Sequence, residues 1–303
     1  MTPHTGAISL SDVRTELGLS GAISLGDSLV RKTFFKRTGS ISLSEGYGVS
    51  YTKITSDQTS VTLSEGGLGG PNKTTTEIAS GVTILGDSSL IDTTAVFVST
   101  RSYVPNQKVL LINNGTIYGK GGKGGNGGSV SLYYYAFPGS NGDKGGYAVY
   151  AAHPVSIENN GVMYAGGGGG GGGGSAYDSL REHSISGSGG GAGGYGAGAG
   201  FSGSNNSSSG LKGYGLSGSS STTTPGVGGA SVNLYLTTMY CGAGGNGGAY
   251  GSNGNAGGGS VFQGGSGVQT GGGAGGAGGK VTAVFGTGSI TWEATGTRYG
   301  TIS

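Results

Sequence analysis

The stretch G-K-G-G-K-G-G-N-G-G, at residues 119–128, decides the fold. Glycine fills two of every three positions, and lysine or asparagine fills the third. A period of three fits neither an α-helix nor a β-strand, whose periods are about 3.6 and 2 residues. It fits the polyproline II helix, which has three residues per turn. Related glycine runs recur at 166–174, 243–248 and 271–279.

A single glycine helix of this kind does not hold its own shape in water. A polyproline II helix has no internal hydrogen bonds, and glycine loses more backbone entropy on ordering than any other residue. Helices packed side by side satisfy each other's N–H and C=O groups. Segments 120–128, 166–174 and 271–279 are each nine residues long, and each would span roughly 28 Å at about 3.1 Å per residue. The sequence therefore predicts a bundle of glycine-rich polyproline II helices over 119–280.

The composition excludes several classes of protein. Of 303 residues, 76 are glycine but only 6 are proline, which excludes collagen. The 17 tyrosines and 7 phenylalanines are not typical of a low-complexity coil. Cys241 is the one cysteine, so no internal disulfide is possible. The first residues, M-T-P-H-T-G, carry no secretory signal, and no apolar run approaches the 18 or more residues of a membrane span.

A short repeat marks residues 1–66. It reads G-A-I-S-L-S-D at 6–12, G-A-I-S-L-G-D at 21–27 and G-S-I-S-L-S-E at 39–45. In the first copy we expect Ser11 or Asp12 to be the N-cap of a short helix, with Val13 and Leu17 on one face and a stop at Gly18. About two helical turns are not stable alone in water, so this region needs a surface to pack against.

Two interpretations of residues 1–66 have equal weight. In the first, the region docks to another protein or to partner copies, with Val30, Phe34 and Phe35 supplying contact area. Alternatively, it is a small capping subdomain folded on the rest of the same chain.

Residues 67–118 are predicted to form a β-rich connector, since β-branched stretches alternate with turn residues there. The connector ends in L-I-N-N-G-T-I-Y-G, and a similar unit, S-I-E-N-N-G-V-M-Y-A, lies at 156–165. Asn-Gly between apolar residues is a strong signal for a tight turn. Each unit leads into a glycine run, so repetition of the unit favours a layered architecture. Residues 281–303 return to a strand-like pattern and are predicted to be closing strands.

Inserts of varied length and chemistry separate the glycine runs. If the glycine helices pack side by side, these inserts become loops clustered at their ends. Aromatic, hydroxyl and amide groups in exposed loops are typical of adaptable binding surfaces. The four inserts of interest lie at 129–147, 175–187, 201–225 and 231–241.

The glycine pattern resembles a known family. Glycine-rich polyproline II sandwich domains occur in the distal tail-fibre adhesins of tailed bacteriophages, where glycine runs alternate with variable, aromatic-bearing loops. The resemblance covers roughly 119–280, and the I-S-L-S-D/E repeat is similar to segments of phage tail and fibre proteins. It implies host recognition through the four loops and carries over no catalytic residue. The candidate receptor contacts are Tyr133, Tyr134, Tyr135, Phe137, Tyr177, Tyr235 and Tyr240.

Enzymatic and nucleic-acid functions find little support. Asp178, Glu182 and His183 could be drawn as a site, but their spacing matches no defensible metal or catalytic pattern. No G-K-[S/T] follows the glycine runs, which argues against a phosphate loop. Between 119 and 280 the only arginine is Arg181, which argues against Gly-Arg-rich RNA binding.

We therefore predict a mostly β and irregular chain, with a β-rich N-terminal half followed by the glycine bundle and its exposed loops. Its predicted function is that of a non-enzymatic phage tail-fibre or tail-tip protein, which binds a host surface protein or glycan without metal or cofactor. Partners are other virion tail proteins and, as is usual for fibres, two further copies in a homotrimer, with a monomeric tip as the alternative. The alternative functions are a structural tail component and a non-viral glycine bundle such as an ice-binding protein. The long, irregular inserts argue against the flat face that ice binding needs.

Overall fold

The fold was analysed in a computed structural model. It describes residues 2, 6–63, 73–87, 94–98, 108–131, 135–178, 183–191, 193, 212–213, 225–230, 239–262, 282–286 and 289–303.

Three parallel sheets of five strands each form a three-sided solenoid of five turns. Sheet 1 contains β1 (Val49–Ile54), β4 (Lys73–Ile78), β7 (Lys108–Asn113), β10 (Val155–Asn159) and β18 (Ile290–Ala294). Sheet 2 contains β2 (Gln58–Thr59), β5 (Thr83–Leu85), β8 (Thr116–Tyr118), β11 (Val162–Tyr164) and β19 (Thr297–Tyr299). Sheet 3 contains β3 (Val61–Leu63), β6 (Val96–Val98), β9 (Val149–Ala151), β17 (Thr282–Phe285) and β20 (Thr301–Ile302). The solenoid therefore begins within 1–66 and is completed by strands within 281–303.

The solenoid interior is one apolar core. Leu111 and Ile157 from sheet 1, Ile117 from sheet 2, and Val96 and Val284 from sheet 3 belong to a single buried cluster. Alternate residues of a strand point to opposite faces, so short β-branched strands place one apolar row inside on each turn. Burial of this row is the main favourable term for the solenoid. The prediction of a mostly β chain with few helices is confirmed.

Buried asparagines line the corner between sheets 1 and 2. The Asn113 side chain donates to Asn159 Oδ1 at 2.7 Å, and Asn159 donates to the carbonyl of Thr295 at 3.0 Å. Both asparagines are essentially inaccessible to solvent. The two predicted Asn-Asn-Gly turns are present, but each joins strands of different sheets. A Cβ at Gly115 would lie 2.3 Å from the Val82 carbonyl oxygen, so this tight corner needs glycine.

A small helical cap packs against sheet 1 of the solenoid. Its helices are α1 (Leu10–Glu16) and α2 (Ser28–Thr33), and a 3-10 turn follows at Leu43–Gly46. Val13 and Leu17 of the cap pack with Val30, Phe34 and Val49 in a second buried cluster. The predicted one-sided face of α1 is confirmed, and Gly18 follows the helix with a φ of +61°. The cap thus packs on the same chain through apolar contacts, and the expectation that Val30 and Phe34 supply contact area for a partner is wrong, because both are buried in this cluster.

The N-cap of α1 is Ser9, so the prediction of Ser11 or Asp12 is wrong. Ser9 Oγ accepts from the Asp12 amide at 3.2 Å, and Asp12 accepts from the Ser9 amide at 2.8 Å. This reciprocal pair is a capping box, in which the acidic residue stands three positions after the N-cap. The Ser42 amide likewise donates to the Glu45 side chain at 3.0 Å. The I-S-L-S-D/E repeat is therefore a repeated device for starting a helical turn.

Ion pairs fasten the cap to the outer face of sheet 1. Lys32 Nζ lies 2.6 Å from Glu158 Oε1, and Arg37 lies 2.8 Å from Glu158 Oε2 and 3.3 Å from Glu293. Burial of Glu158 alone would raise its pKa. Hydrogen bonds from Lys32, Asn160 and Arg37 outweigh that effect and lower the pKa of Glu158 from its usual 4.5 to about 2. Glu158 therefore stays ionised and holds the cap against the solenoid.

The glycine-rich segments are inserted between sides of the solenoid. The chain leaves after β8 and returns at β9, and it leaves again after β11 and returns at β17. In the described residues these insertions form a hydrogen-bonded glycine array. The array contains segments 119–128, 139–146, 166–174, 187–193 apart from residue 192, 225–230, 242–248 and 252–259. Segment 271–279 lies outside the described residues.

Segment 166–174, the central segment, bonds to five neighbouring segments with a period of three. Its amides at Gly166, Gly169 and Gly172 donate to segment 139–146, at 2.9–3.0 Å. The amides at 168, 171 and 174 donate to segment 252–259, and those at 170 and 173 donate to 188–191. Its carbonyls accept from segments 119–128 and 242–248. Most backbone polar groups of this run are thus satisfied by other backbone groups, without any side chain.

Close packing explains the glycine spacing in each segment. A Cβ at Gly169 would lie 1.9 Å from the Lys123 oxygen, and one at Gly170 would lie 1.9 Å from the Gly245 oxygen. In segment 119–128, Lys123 and Asn126 are exposed, and the glycines beside them are buried. In segment 139–145, only every third residue is glycine and faces the array, as for Gly142, where a Cβ would lie 2.0 Å from the Gly169 oxygen. The number of glycines per triplet therefore follows the number of packed faces.

No described helix is long and apolar enough to cross a membrane.

Candidate receptor-binding surface

The array has one end at the solenoid and one distal end. Gly119 follows β8 directly and Gly166 lies two residues after β11, so these residues mark the solenoid end. Segments 119–128, 166–174 and 252–259 run parallel to one another, since the Gly128 amide bonds to Gly173 and the Gly174 amide to Gly258. Residues 128, 174 and 259 therefore lie together at the distal end.

Tyrosines fix the solenoid end of the array. Tyr118, Tyr164 and Tyr299 stand at matching positions on successive strands of sheet 2, with ring centroids 4.7 and 4.6 Å apart. Tyr250, in the turn between segments 242–248 and 252–259, packs 4.8 Å from Tyr118. This turn is therefore held on the solenoid, away from the distal end.

The first distal loop spans 129–137 and is a hairpin at its base. Val130 and Ala136 form an antiparallel bridge. The Ser131 amide donates to the Tyr135 carbonyl at 3.0 Å, and the Phe137 amide donates to the Ser129 carbonyl at 2.8 Å. These bonds turn the chain from segment 119–128 into the antiparallel segment 139–146. The hairpin therefore projects from the end of the array.

Two further short antiparallel strand pairs stand at the same end: one is a hairpin, and the other is a ribbon whose two strands are separated along the chain by segments 242–248 and 252–259. One pairs β12 (Ala176–Asp178) with β13 (His183–Ile185), and β14 (Lys212–Gly213) adds to β13. The other pairs β15 (Met239–Tyr240) with β16 (Val261–Phe262). Parts of the predicted loops 129–147, 175–187 and 231–241 thus meet at the distal end. Loop 201–225 is described only at Lys212–Gly213 and Pro225.

The predicted contact residues differ in exposure. Tyr135 is 63% exposed, Phe137 is 47% exposed and Tyr240 is 37% exposed, and all three lie on distal hairpins. Tyr177 is buried, with 6% exposure. Tyr133, Tyr134 and Tyr235 lie outside the described residues. The described aromatic surface at this end therefore consists of Tyr135, Phe137 and Tyr240.

Two of the titratable groups singled out in the sequence lie at the distal end. Asp178 and His183 are register partners across the β12–β13 hairpin, and Glu182 lies outside the described residues. In the part of the chain that the structure describes, no group of three or more His, Cys, Asp or Glu residues could hold a metal ion.

Serines join the distal hairpins, and the sequence analysis did not single them out. Ser175, fully buried, places Oγ 2.9 Å from the carbonyl oxygens of both Ser129 and Phe137. Ser260 Oγ donates to the Ser175 carbonyl at 2.9 Å. The available signal was the tripeptide G-G-S, which recurs at 127–129, 173–175 and 258–260.

The family model described as "Phage tail fibre adhesin Gp38" matches residues 44–303, and the chain belongs to this family. It is therefore a phage tail-fibre adhesin of the virion, as the resemblance in the glycine pattern indicated. The non-viral alternative of an ice-binding bundle is wrong.

One solved structure is similar over nearly the whole chain. It is titled "Crystal structure of the gp37-gp38 adhesin tip complex of the bacteriophage S16 long tail fiber". The two chains share 22% sequence identity, with 99% of this chain and 100% of that chain covered and a TM-score of 0.45. No curated protein sequence matches the chain.

Proposed function

We propose that this adhesin attaches the virion to a molecule on the host bacterial surface through the distal hairpins of the glycine array. The observation that carries the proposal is the grouping of exposed Tyr135, Phe137 and Tyr240 at the end opposite the solenoid. Large aromatic rings exposed together on a soluble protein are typical of interaction sites.

The chemistry of these side chains suits a surface receptor. Tyrosine and phenylalanine bury large areas with little loss of rotamer freedom. Their faces stack on sugar rings or on apolar protein loops, and the tyrosine hydroxyl adds a hydrogen bond. Tyr133, Tyr134 and Tyr235 belong to the same proposed surface, because they lie on the same loops. A bacterial surface protein and a surface glycan are the two receptor classes.

We further propose that residues 1–66 join the adhesin to another tail-fibre protein. The similar solved structure is titled a gp37–gp38 complex, which supports a partner of this kind. A homotrimer is the proposed state of the chain itself, and a monomeric tip is the alternative. Light scattering of the purified protein separates them, since one chain has a mass of 29.3 kDa and a trimer about three times that.

The glycine segments are proposed to be polyproline II helices. Support comes from the three-residue period of their hydrogen bonds and from the absence of left-handed φ among the described glycines of segment 166–174. NMR measurement of glycine N–H and Cα couplings tests the assignment. Couplings typical of an α-helix or of a pleated strand over 166–174 would contradict it.

The binding experiment uses fluorescently labelled full-length protein and a panel of bacterial strains. Wild type is compared with a variant carrying Tyr135→Ser, Phe137→Ser and Tyr240→Ser. We expect wild type to label some strains and not others, and the triple variant to lose at least about tenfold in affinity, as expected when interface aromatics are removed.

The matched control is Ile302→Ser, because Ile302 is also a large exposed apolar side chain, at 37%, but lies on the last strand of the solenoid. This variant should label the same strains as wild type. If a folded wild-type protein labels no plausible host, the chain is a structural tail component. If the control loses binding as strongly as the triple variant, the distal surface is not the receptor site.

A further inference from the structure

The G-G-S tripeptides mark a serine collar at the distal end of the array. Each of the three described copies ends a segment that runs from the solenoid outward: 119–128, 166–174 and 252–259. The serine is the first side chain after the last glycine in each case. A fourth copy, at 264–266, lies outside the described residues.

Side-chain hydrogen bonds link the three serines in order, because the hydroxyls of Ser260 and Ser175 each bond the backbone carbonyl of the next serine. Ser260 Oγ donates to the Ser175 carbonyl, and Ser175 Oγ lies within hydrogen-bond distance of the Ser129 carbonyl, each at 2.9 Å. Ser175 is also 2.9 Å from the Phe137 carbonyl, so its single proton is shared between both strands of the 129–137 hairpin. The collar therefore links the base of this hairpin to the β15–β16 ribbon.

The collar lies where the glycine array can no longer hold the chain. Within the array, backbone bonds repeat every three residues and fix each segment from several sides. Beyond the last glycine, side chains require space and the close-packed pattern ends. A buried hydroxyl supplies hydrogen bonds to backbone carbonyls at this end, and the Ser129 carbonyl accepts from Ser175 Oγ in addition to the Phe137 amide.

We propose that Ser175 and Ser260 are positioning residues. They hold the 129–137 hairpin and the β15–β16 ribbon in a fixed position relative to each other, so that the aromatic side chains of both form a single composite recognition surface. Ser175 sets the hairpin that carries Tyr135 and Phe137. Ser260 fixes the β15–β16 ribbon, which carries Tyr240, by its hydrogen bond to the Ser175 carbonyl. The inference rests on the proposed function, because it assigns these hairpins to receptor recognition.

The test compares three single variants of the full chain: Ser175→Ala, Ser260→Ala and Ser140→Ala. Ser140 is the matched control, because its exposed Oγ accepts from the Asn126 amide at 2.7 Å and donates to the Asn126 carbonyl at 3.4 Å rather than to a carbonyl of the collar. Hydrogen exchange is measured by mass spectrometry on peptides covering 129–137, 239–262 and 166–174, together with the dissociation rate from a strain that wild type labels.

The expected pattern is specific to each serine. Ser175→Ala raises amide exchange in 129–137 by about threefold to tenfold, the range set by one net hydrogen bond. Ser260→Ala raises exchange around 260–262 and leaves 129–137 unchanged. Both variants dissociate from cells severalfold faster than wild type, while Ser140→Ala does neither. Exchange in 166–174 stays as in wild type throughout.

Three results overturn the proposal. Exchange that is unchanged in both hairpins shows that the collar does not position them. Exchange that rises equally in 166–174 shows a purely structural role. Faster hairpin exchange with an unchanged dissociation rate removes the collar from recognition. If wild type labels no strain, the proposed function fails, and the exchange data still decide whether the collar positions the hairpins.

Discussion

The amide of Gly172 donates to the carbonyl oxygen of Ser140 at 2.9 Å. This bond joins a segment made only of glycine to one in which every third residue is glycine. The spacing of glycine thus reports how many sides of a segment are covered, and this rule leads to a direct test.

Gly172→Ala should destabilise the array severely. The new Cβ would lie 1.9 Å from the Asn126 carbonyl oxygen, which is backbone and cannot move aside alone. Overpacking of a close-packed interior costs about 1–3 kcal/mol and at times more, so we expect a loss of about 3 kcal/mol in the free energy of unfolding. Thermal unfolding followed by circular dichroism measures it. The control is Gly259→Ala, where a Cβ meets nothing within 4 Å and the midpoint should not change. Equal effects at both sites would contradict the packing rule.

The ion-pair node at Glu158 should make stability fall in acid. Because folding lowers the pKa of Glu158 from 4.5 to about 2, its contribution is present above pH 4.5 and is lost as the pH falls to about 2. We expect Glu158→Gln to lower the free energy of unfolding by about 1–2 kcal/mol at pH 7, after allowance for solvent screening. The measurement is urea unfolding at several pH values from 7 to 2.5. The difference in free energy of unfolding between wild type and variant should become smaller as the pH falls from 7 to 2.5. A difference that becomes larger in acid would contradict a stabilising, ionised Glu158.

The buried asparagine corner should be sensitive to loss of one partner. Asn159→Ala leaves the Asn113 side-chain amide buried without its 2.7 Å acceptor. An unsatisfied buried polar group costs about 1–3 kcal/mol, and the lost packing adds to this. Urea unfolding should show a loss of about 2–4 kcal/mol. Asn160→Ala, at the exposed neighbouring position, serves as control and should cost under about 1 kcal/mol. If Asn159→Ala lowers the free energy of unfolding less than Asn160→Ala does, the Asn113–Asn159 hydrogen bond does not hold the corner.

The position of the first N-cap can be tested with two neighbouring serines. Ser9→Ala removes the side chain that accepts from the Asp12 amide, and loss of such a cap costs about 1 kcal/mol. Ser11→Ala, two residues later and inside the helix, should be close to neutral, since alanine favours helices. Limited proteolysis near residue 18 and thermal unfolding both report on the cap. If Ser11→Ala increases proteolysis and lowers the unfolding temperature more than Ser9→Ala does, the N-cap is Ser11, as first expected from the sequence.

Sequence patterns predicted the glycine segments better than the strands. The three-residue period is directly visible in the triplets at 119–128. The run at 166–174 has no side chains, so only its backbone can pack. The strands of sheets 2 and 3 are only two to four residues long, and each pairs in parallel with residues far along the chain. No local turn fixes such pairing, so the solenoid could not be deduced from short β-branched stretches. The first N-cap was misplaced because two serines precede Val13, and only the spacing to Asp12 distinguishes them.

The candidate surface, too, could be predicted from the sequence only in part. That loops would gather at segment ends followed from side-by-side packing, and exposed Tyr135 and Phe137 agree with it. The burial of Tyr177 depends on how the β12–β13 hairpin lies against its neighbours, which one residue in a loop does not reveal. Glu158 looked like an isolated acid in the sequence, since its partners Lys32 and Arg37 lie more than 100 residues away.

The insertion of the glycine array into the solenoid determines how this adhesin carries mechanical load. The backbone crosses between the two parts four times: after Tyr118, before Val149, after Tyr164 and before Thr282. Tension applied at the distal hairpins is therefore divided among four covalent connections that enter neighbouring turns of the solenoid. A single tether would concentrate the same force on one strand and peel it from its sheet. Here the pull reaches several strands of two sheets at once, which suits the proposed attachment of a moving particle to a cell.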